Sequence, residues 1–544
     1  TAGHDMMNNT STHRISLTRQ SRLGAQLTLM ASLALPAYSL AQDTAWLGVP
    51  LPPPLEIGSA PAAIGARGPA PAVVPLEEKG FVELEGRRLA YDLERIVEFS
   101  RQSREQRELG GDQLWGRVSG FYSGETTIRW AAERMLDAGI RDVRFQRFEQ
   151  DPGAVLWIPE KWEVRLLGNP VFGVGSEDVV LETAMALAPS EIPGGELTAP
   201  VVYVGKGTPA ELMHIDVKGK IAIQHVTPQA HLVFERRSAV PVAQDLMARG
   251  AVAVLNLVDQ PGNERVRDFS NCGGPCFNVG GRDSWFLQHV MDAAATAGTF
   301  AQLRMRLSLQ SREYSGLNAI NAVAVIPGRA SAEAIVINAH ADAWFDGAGD
   351  NADGLAVLLA LARHFGKPEN QPLRTLAFVV SAGHHTTGLN GPRNAVRMNP
   401  DVFENALLIF NIEHVAQRNL VPARFEFPDG YREFTADSGE AMIVAGITNE
   451  SPYLQDLFTQ GVARYGTNFA SSNSTMASGE GGGYRIAGVA MITTMQGPPL
   501  YHTSGEVTEV ISVPGLERMA RFMTFFIEQV DRADRNQINP ASKN

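Results

Sequence analysis

Val336-Ile337-Asn338-Ala339-His340-Ala341-Asp342, followed after four residues by Gly347-Ala348-Gly349-Asp350-Asn351-Ala352-Asp353-Gly354, is the stretch that decides how this chain is read. The run from Ala334 to Asn338 predicts a strand, and Gly354 to Phe365 predicts an almost wholly apolar helix. Between them lie a histidine, several aspartates and a Gly-rich turn. His340 would leave the strand end with Asp342 close enough to orient its ring. A carboxylate behind an imidazole fixes the tautomer and strengthens the free nitrogen as a donor. Asp350 fits either a metal ligand or a helix N-cap, and composition alone favours the cap. His225, His231 and His364 lack such a setting and read as structural or surface groups.

Outward from this segment the same texture repeats. Leu376 to Val380, Leu407 to Ile412 and Ala490 to Thr493 are further strand candidates, and Gly515 to Val530 is a closing amphipathic helix. Continuous apolar strands alternating with helices imply a mostly parallel sheet covered on both faces, with its active crevice beyond the strand ends. Upstream, Leu89 to Phe99 and Thr126 to Leu136 have helical spacing, Gly139 supplies a stop, and Val143 to Phe148 alternates like a strand. Val201 to Val204, Ile221 to Ile223, Ala251 to Leu255 and Leu303 to Leu309 are short β-like runs in a separate module, with a helix over Val242 to Ala248.

The 544 residues exceed one ordinary domain, and 44% apolar against 19% charged residues allows large cores. A net charge of -12, without a Lys/Arg cluster, argues against a nucleic-acid partner. Arg14, Arg19 and Arg22 precede an apolar stretch from Leu23 to Leu35, and Ser39-Leu40-Ala41 offers a small-residue cleavage site. That order predicts a secretory signal cut after Ala41, a periplasmic or extracellular protein, and no stable membrane span after signal removal. Residues 48 to 76 are rich in Pro, Ala and Gly and read as an extension. Cys272 and Cys276 are the two cysteines; they fit a disulfide closing a tight Gly/Pro loop or a pair of unpaired buried thiols.

Taken together, the motifs resemble the M28-type zinc aminopeptidases and their carboxypeptidase relatives. His340-Ala341-Asp342 and Gly349-Asp350-Asn351-Ala352-Asp353-Gly354 are similar to that family's first two metal motifs. The resemblance makes His340 a ligand, Asp342 its orienting partner in the catalytic machinery, and Asp350 a bridge between two zinc ions, with Asn351 beside it. Arg374 to Phe378 resembles the next strand. Asn411-Ile412-Glu413 stands where the family has a strand ending in a ligating aspartate, so Glu413 is carried over as a ligand. Tyr501-His502-Thr503 resembles the terminal motif, with His502 a ligand and Tyr501 beside it. Glu480 falls near an acidic position before the last strand.

The chain departs from the family at Ser381-Ala382-Gly383-His384-His385-Thr386-Thr387-Gly388. The family has two adjacent glutamates there, a general base and a zinc ligand. Counting from Arg374, those places hold His384 and His385; counting back from Gly388, they hold His385 and Thr386. The first register is preferred, because His385 then replaces the ligand and leaves His340, Asp350, His385, Glu413 and His502 around one or two zinc ions. His384 would serve as base or become another ligand.

The implied fold is an α/β zinc-exopeptidase sheet, a mostly parallel-core mixed sheet flanked by helices, with an inserted β-rich protease-associated domain. The expected organisation is a leader over 1–41, an extension over 42–80, the front of the catalytic domain over 81–194, the inserted domain over 195–310, the main catalytic part over 311–536 and a tail over 537–544. The implied activity is zinc-dependent hydrolysis of peptide or related amide bonds, an exopeptidase whose partner is a peptide or small amide substrate. Two other readings remain: a catalytically silent binding protein on the peptidase fold, and a metallohydrolase of altered substrate or single-metal site.

Overall fold

The apolar runs around the quoted stretch become the middle of an eight-stranded sheet. The computed structural model describes residues 46–51, 70–227, 236–267, 272–424, 432–441, 444–447, 451–472 and 479–540. The expected leader over 1–41 and residues 52–69 of the Pro-rich extension lie outside the described residues. The strands are β1 (Asp142–Glu149), β2 (Asn318–Ile326), β3 (Ala334–His340), β4 (Thr375–Ser381), β5 (Ala406–Ile412), β6 (Val444–Ile447), β7 (Phe469–Ser472) and β8 (Ala490–Met495). Their order is β1-β2-β4-β3-β5-β8-β6-β7. The centre, β4-β3-β5-β8, is parallel, whereas β1, β2 and the β6–β8 contact are antiparallel.

Both faces of this sheet are covered, which is why the central strands carry no polar alternation. Side chains of successive strand residues point to opposite faces. Ile335 and Ile337 join a core made with α1 (Gly86–Glu105), α2 (Tyr122–Asp137), α3 (Asp353–Phe365) and α4 (Val513–Arg532). Val336 joins the other core with Val379, Ile409, Phe403 and Tyr484. The register sets His340 opposite Ser381 and Asn338 opposite Asn411, so the polar residues gather at the carboxyl end of the parallel strands.

A second eight-stranded sheet runs, in spatial order, through Val179–Val180, Leu156–Leu166, Arg304–Tyr314, Glu196–Tyr203, Ile221–Val226, Ala253–Val258, Cys276–Val279 and Met185–Ala186. The strand Leu156–Leu166 lies ahead of residue 195 in sequence, yet pairs along most of Arg304–Tyr314. Trp344 and Phe345, from the loop between β3 and α3, are buried in this sheet's core beside Trp115, Trp157 and Phe286. The segment after Ala253–Val258 also touches the loop behind β8. Arg267 N donates to His502 O at 3.0 Å, Ser504 N to Arg265 O at 3.0 Å, and Gln260 Nε2 to Pro499 O at 2.5 Å. Cys272 and Cys276 form a disulfide. No helix among the described residues is long and apolar enough to cross a membrane.

Candidate metal centre

Four loops at the carboxyl end of the parallel strands bring polar side chains to one point. His340 closes β3, the loop after β4 carries His384 and His385, His414 follows β5, and His502 lies in the loop after β8. Asp350 enters from the turn before α3. It does not cap that helix, whose N-cap position is Ala352 and carries no side-chain cap bond. Instead its carboxylate faces four imidazoles. Oδ1 lies 3.2 Å from His340 Nε2 and 3.6 Å from His414 Nε2, and Oδ2 lies 3.0 Å from both His385 Nε2 and His502 Nε2.

The turn is held by its own neighbours. Arg117, fully buried, donates from Nε to Ala341 O at 3.0 Å and from its two terminal nitrogens to Asp346 O at 2.6 Å and Gly347 O at 3.0 Å. Asp342 lies behind the centre. Its Oδ1 is 3.5 Å from His340 Nδ1, and its Oδ2 accepts from His385 N at 3.0 Å, tying the histidine loop to β3. His384 is half-buried, and its ring stacks on that of His340 with centroids 4.3 Å apart. It lines a cleft with His385, Asn390 and Glu480.

Protonation follows from these surroundings. Burial works against a charged His340, but Asp342 and Asp350 raise its pKa well above the ordinary imidazole value. Burial pushes His385 down to about 3 against the pull of Asp350, and burial also lowers His414. Burial favours a neutral Asp350, yet His385, His414 and His340 hold it well below the usual carboxylate range. The metal-free protein therefore presents an ionised carboxylate to neutral imidazoles on His385 and His414, whereas His340, protonated beside its two aspartates, would release a proton on taking up a metal.

Other residues selected from sequence lie around this point in different roles. Asn351 donates from Nδ2 to Ile412 O at 2.8 Å and accepts from His414 N at 3.2 Å, so it joins the turn to the end of β5. Tyr501 stacks on His502, with centroids 3.6 Å apart. Glu480 is buried, and its Oε2 accepts from Ser381 Oγ at 2.6 Å and Asn338 Nδ2 at 2.8 Å. Burial raises its pKa, while His340 and His384 oppose the rise. Glu413, expected to be a ligand, has one carboxylate oxygen in hydrogen bonds and the other buried without a partner. Its Oε1 accepts from Glu480 N at 2.6 Å and Asn411 Nδ2 at 2.9 Å.

Sequence reading missed His414 and Glu506. His414 has a φ of 47°, a left-handed bend that spacing does not reveal. Glu506 is buried beside the turn, and burial together with Asp350 and Asp353 raises its pKa well above normal against the pull of Arg117.

Whether these side chains suit a cation can be judged from their unmet bonds. His340 Nε2, His385 Nε2, His502 Nε2 and both oxygens of Asp350 are buried with no hydrogen-bond partner. The lone pair of a neutral imidazole nitrogen and that of a carboxylate oxygen repel each other at about 3 Å, so such atoms converge stably only around a shared cation or proton. Asp350, His385 and His502 also satisfy the mutual spacing of a metal-holding triad, as do His340, His384 and His385. The donor set fits zinc.

Residues 321–527 match the model described as Peptidase family M28. Among solved structures, this chain is similar to an aminopeptidase from Aneurinibacillus sp. strain AM-1 at 17% identity and a TM-score of 0.51, over 83% of this chain and 95% of that one. A zinc aminopeptidase from Bacillus subtilis matches at 17% identity and a TM-score of 0.54, over 84% and 98%. A peptidase M28 precursor from Shewanella amazonensis SB2B matches at 16% identity and a TM-score of 0.56, over 83% and 98%. At these identities the likeness concerns the fold. No curated protein sequence matches the chain.

Proposed function

We propose that this protein is a metal-dependent aminopeptidase-type hydrolase acting on peptide or related amide bonds, a reading supported by the match of residues 321–527 to the model described as Peptidase family M28. The observation that carries this reading is the convergence of unpartnered imidazole nitrogens on both oxygens of buried Asp350. His340, Asp350, His385 and His502 would hold zinc. When bound, zinc supplies a Lewis acid that polarises the scissile carbonyl and makes water acidic enough to attack at neutral pH.

The chain's own residues supply the remainder. The backbone carbonyl of Asp342, 3.1 Å from His340 Nδ1, orients that ring, and the Asp342 carboxylate, through His385 N, keeps the histidine loop in register. His384 lines the cleft, at the place where the resemblance to the M28-type family implies a general base, and an imidazole there can take a proton and return it to the leaving amine. The cleft beside it receives the substrate.

One observation favours a second reading, a binding protein on the same fold without the chemistry: residues 382–388 contain no carboxylate. A single set of measurements separates the two. Metal content of the purified chain is read by elemental mass spectrometry, and release of amine from aminoacyl anilides is followed with and without chelator. Hydrolysis that disappears with chelator and returns with zinc is expected. His385→Ala should lower metal content. His384→Ala should keep the metal and lose about 100-fold or more in kcat, the usual weight of a general base. Metal-loaded protein without any hydrolysis would leave the binding reading standing.

A further inference from the structure

The end of β5 offers two adjacent side chains to the centre, and the fold uses them in opposite ways. Glu413 is turned toward the loop before β8. There its Oε1 accepts two hydrogen bonds, and its Oε2, buried without a hydrogen-bond partner, lies against Gly479, whose φ of 56° and missing Cβ allow the approach. His414 is turned toward Asp350, with its side chain 4% exposed and its ring edge-on to Tyr501 at 5.1 Å between centroids.

The backbone of His414 is left-handed, a conformation unfavourable for a non-glycine residue, and it is held there from every side. His414 N donates to Asn351 Oδ1 at 3.2 Å, and its carbonyl accepts from Gln496 N at 2.9 Å. The next two amides, Val415 N and Ala416 N, donate to Asp353 Oδ2 at 2.9 and 2.7 Å. His502 also has a positive φ, 57°, and faces the same carboxylate. Nδ1 of the buried His414 ring has no hydrogen-bond partner, and Nε2 lies 3.6 Å from Asp350 Oδ1. Burying an unsatisfied polar ring at a strained position is a cost that packing alone does not require.

We propose that His414, not Glu413, is the side chain that β5 contributes to the metal centre. The donor set is then His340, His385, His414 and His502 around the single carboxylate of Asp350. Four imidazoles and one carboxylate suit borderline cations such as Zn2+ and Co2+ and disfavour oxygen-seeking Mg2+ and Mn2+. The assignment rests on the metal reading of the centre given above.

The test uses the full chain, stripped with chelator and titrated with Zn2+ against a chromophoric chelator. Glu413→Gln is expected to bind zinc with wild-type stoichiometry and an affinity within about threefold, while His414→Gln loses an equivalent or weakens at least about tenfold. Cobalt loading gives a second readout: the visible absorption bands shift in His414→Gln and stay in place in Glu413→Gln. Thermal melts of the stripped variants establish that each is folded. If Glu413→Gln does not fold, X-ray absorption at the zinc edge decides, because imidazole scattering falls in His414→Gln only if that ring binds the ion. Zinc binding unchanged in His414→Gln overturns the assignment, as does a loss in folded Glu413→Gln equal to that in His414→Gln. A wild-type chain that takes up no zinc, or prefers Mg2+ or Mn2+, also overturns it. Zinc uptake with the expected variant pattern but no peptide hydrolysis would support the assignment while sinking the peptidase reading.

Discussion

Single side chains decide this centre by the direction of one bond. His340 stood out in sequence at the end of an apolar strand, while Asp350 read as readily as a helix cap, and His385 and His502 were singled out only by motifs that resemble the M28-type family. Glu413 and His414 could not be told apart that way: counting along the strand favours the first, and the left-handed bend brings in the second. Gly479 makes a prediction at the same scale. A Cβ there would run into Glu413 Oε2 while φ stays positive, so the turn and the carboxylate cannot both remain. Gly479→Ala should cost about 1–3 kcal/mol of stability by overpacking, read from denaturant unfolding. A variant as stable as wild type would mean that Glu413 does not occupy this position.

At the level of elements, legibility followed burial. β3, β4, β5, β8, α3 and α4 stood out because strands covered on both faces, and the helices covering them, leave long apolar runs. Leu156–Leu166 carries Glu160, Lys161, Glu163 and Arg165 among its apolar residues, and that mixture hid a strand paired along Arg304–Tyr314. The hairpin of Arg418–Arg424 and Arg432–Ala441 was hidden likewise, with charge along both strands and Pro422 in the first. The loop between β3 and α3 depends on an element far from it in sequence. Arg117, on the chain between α1 and α2, pairs with three of its carbonyls and lies close enough to Asp350, Asp346 and Asp342 to feel their charge, although burial still lowers its pKa to about 10. Arg117→Met should therefore cost about 3–5 kcal/mol, as removal of one partner from a buried charged network does. Zinc content should fall with it, because Asp350 ends the loop that Arg117 holds. Unfolding curves and metal analysis on the same preparation check both; full zinc content in the variant would show that the turn keeps its shape unaided.

Across the molecule, stability should depend on pH through a buried contact remote from the centre. Glu83, in the turn Val82–Leu84, lies 2.9 Å from His364 Nδ1 near the end of α3 and 2.6 Å from Lys367 Nζ. Burial opposes its charge, but His364 and Lys367 bring its pKa from 4.5 to about 2. Burial likewise opposes a charged His364, and Glu528 and Glu83 raise it above 6.5. The Glu83 contribution is complete above 4.5 and is lost as pH falls toward 2. The His364 contribution is complete below 6.5 and is lost as pH rises through its raised value. Glu83→Gln should thus lower the melting temperature most between 4.5 and 6.5, with a smaller deficit on either side. A deficit that is constant with pH would refute the coupling.

The bonds from Gln260, Arg265 and Arg267 to the loop bearing His502 have a practical consequence for anyone dissecting this chain. Seen from the main sheet, the second sheet looks like cargo that a minimal version might discard. Yet it grips the last imidazole by its backbone and buries Trp344 and Phe345 from the turn that ends in Asp350. Excising it would leave every donor in the sequence and remove the scaffolding that makes two of them meet.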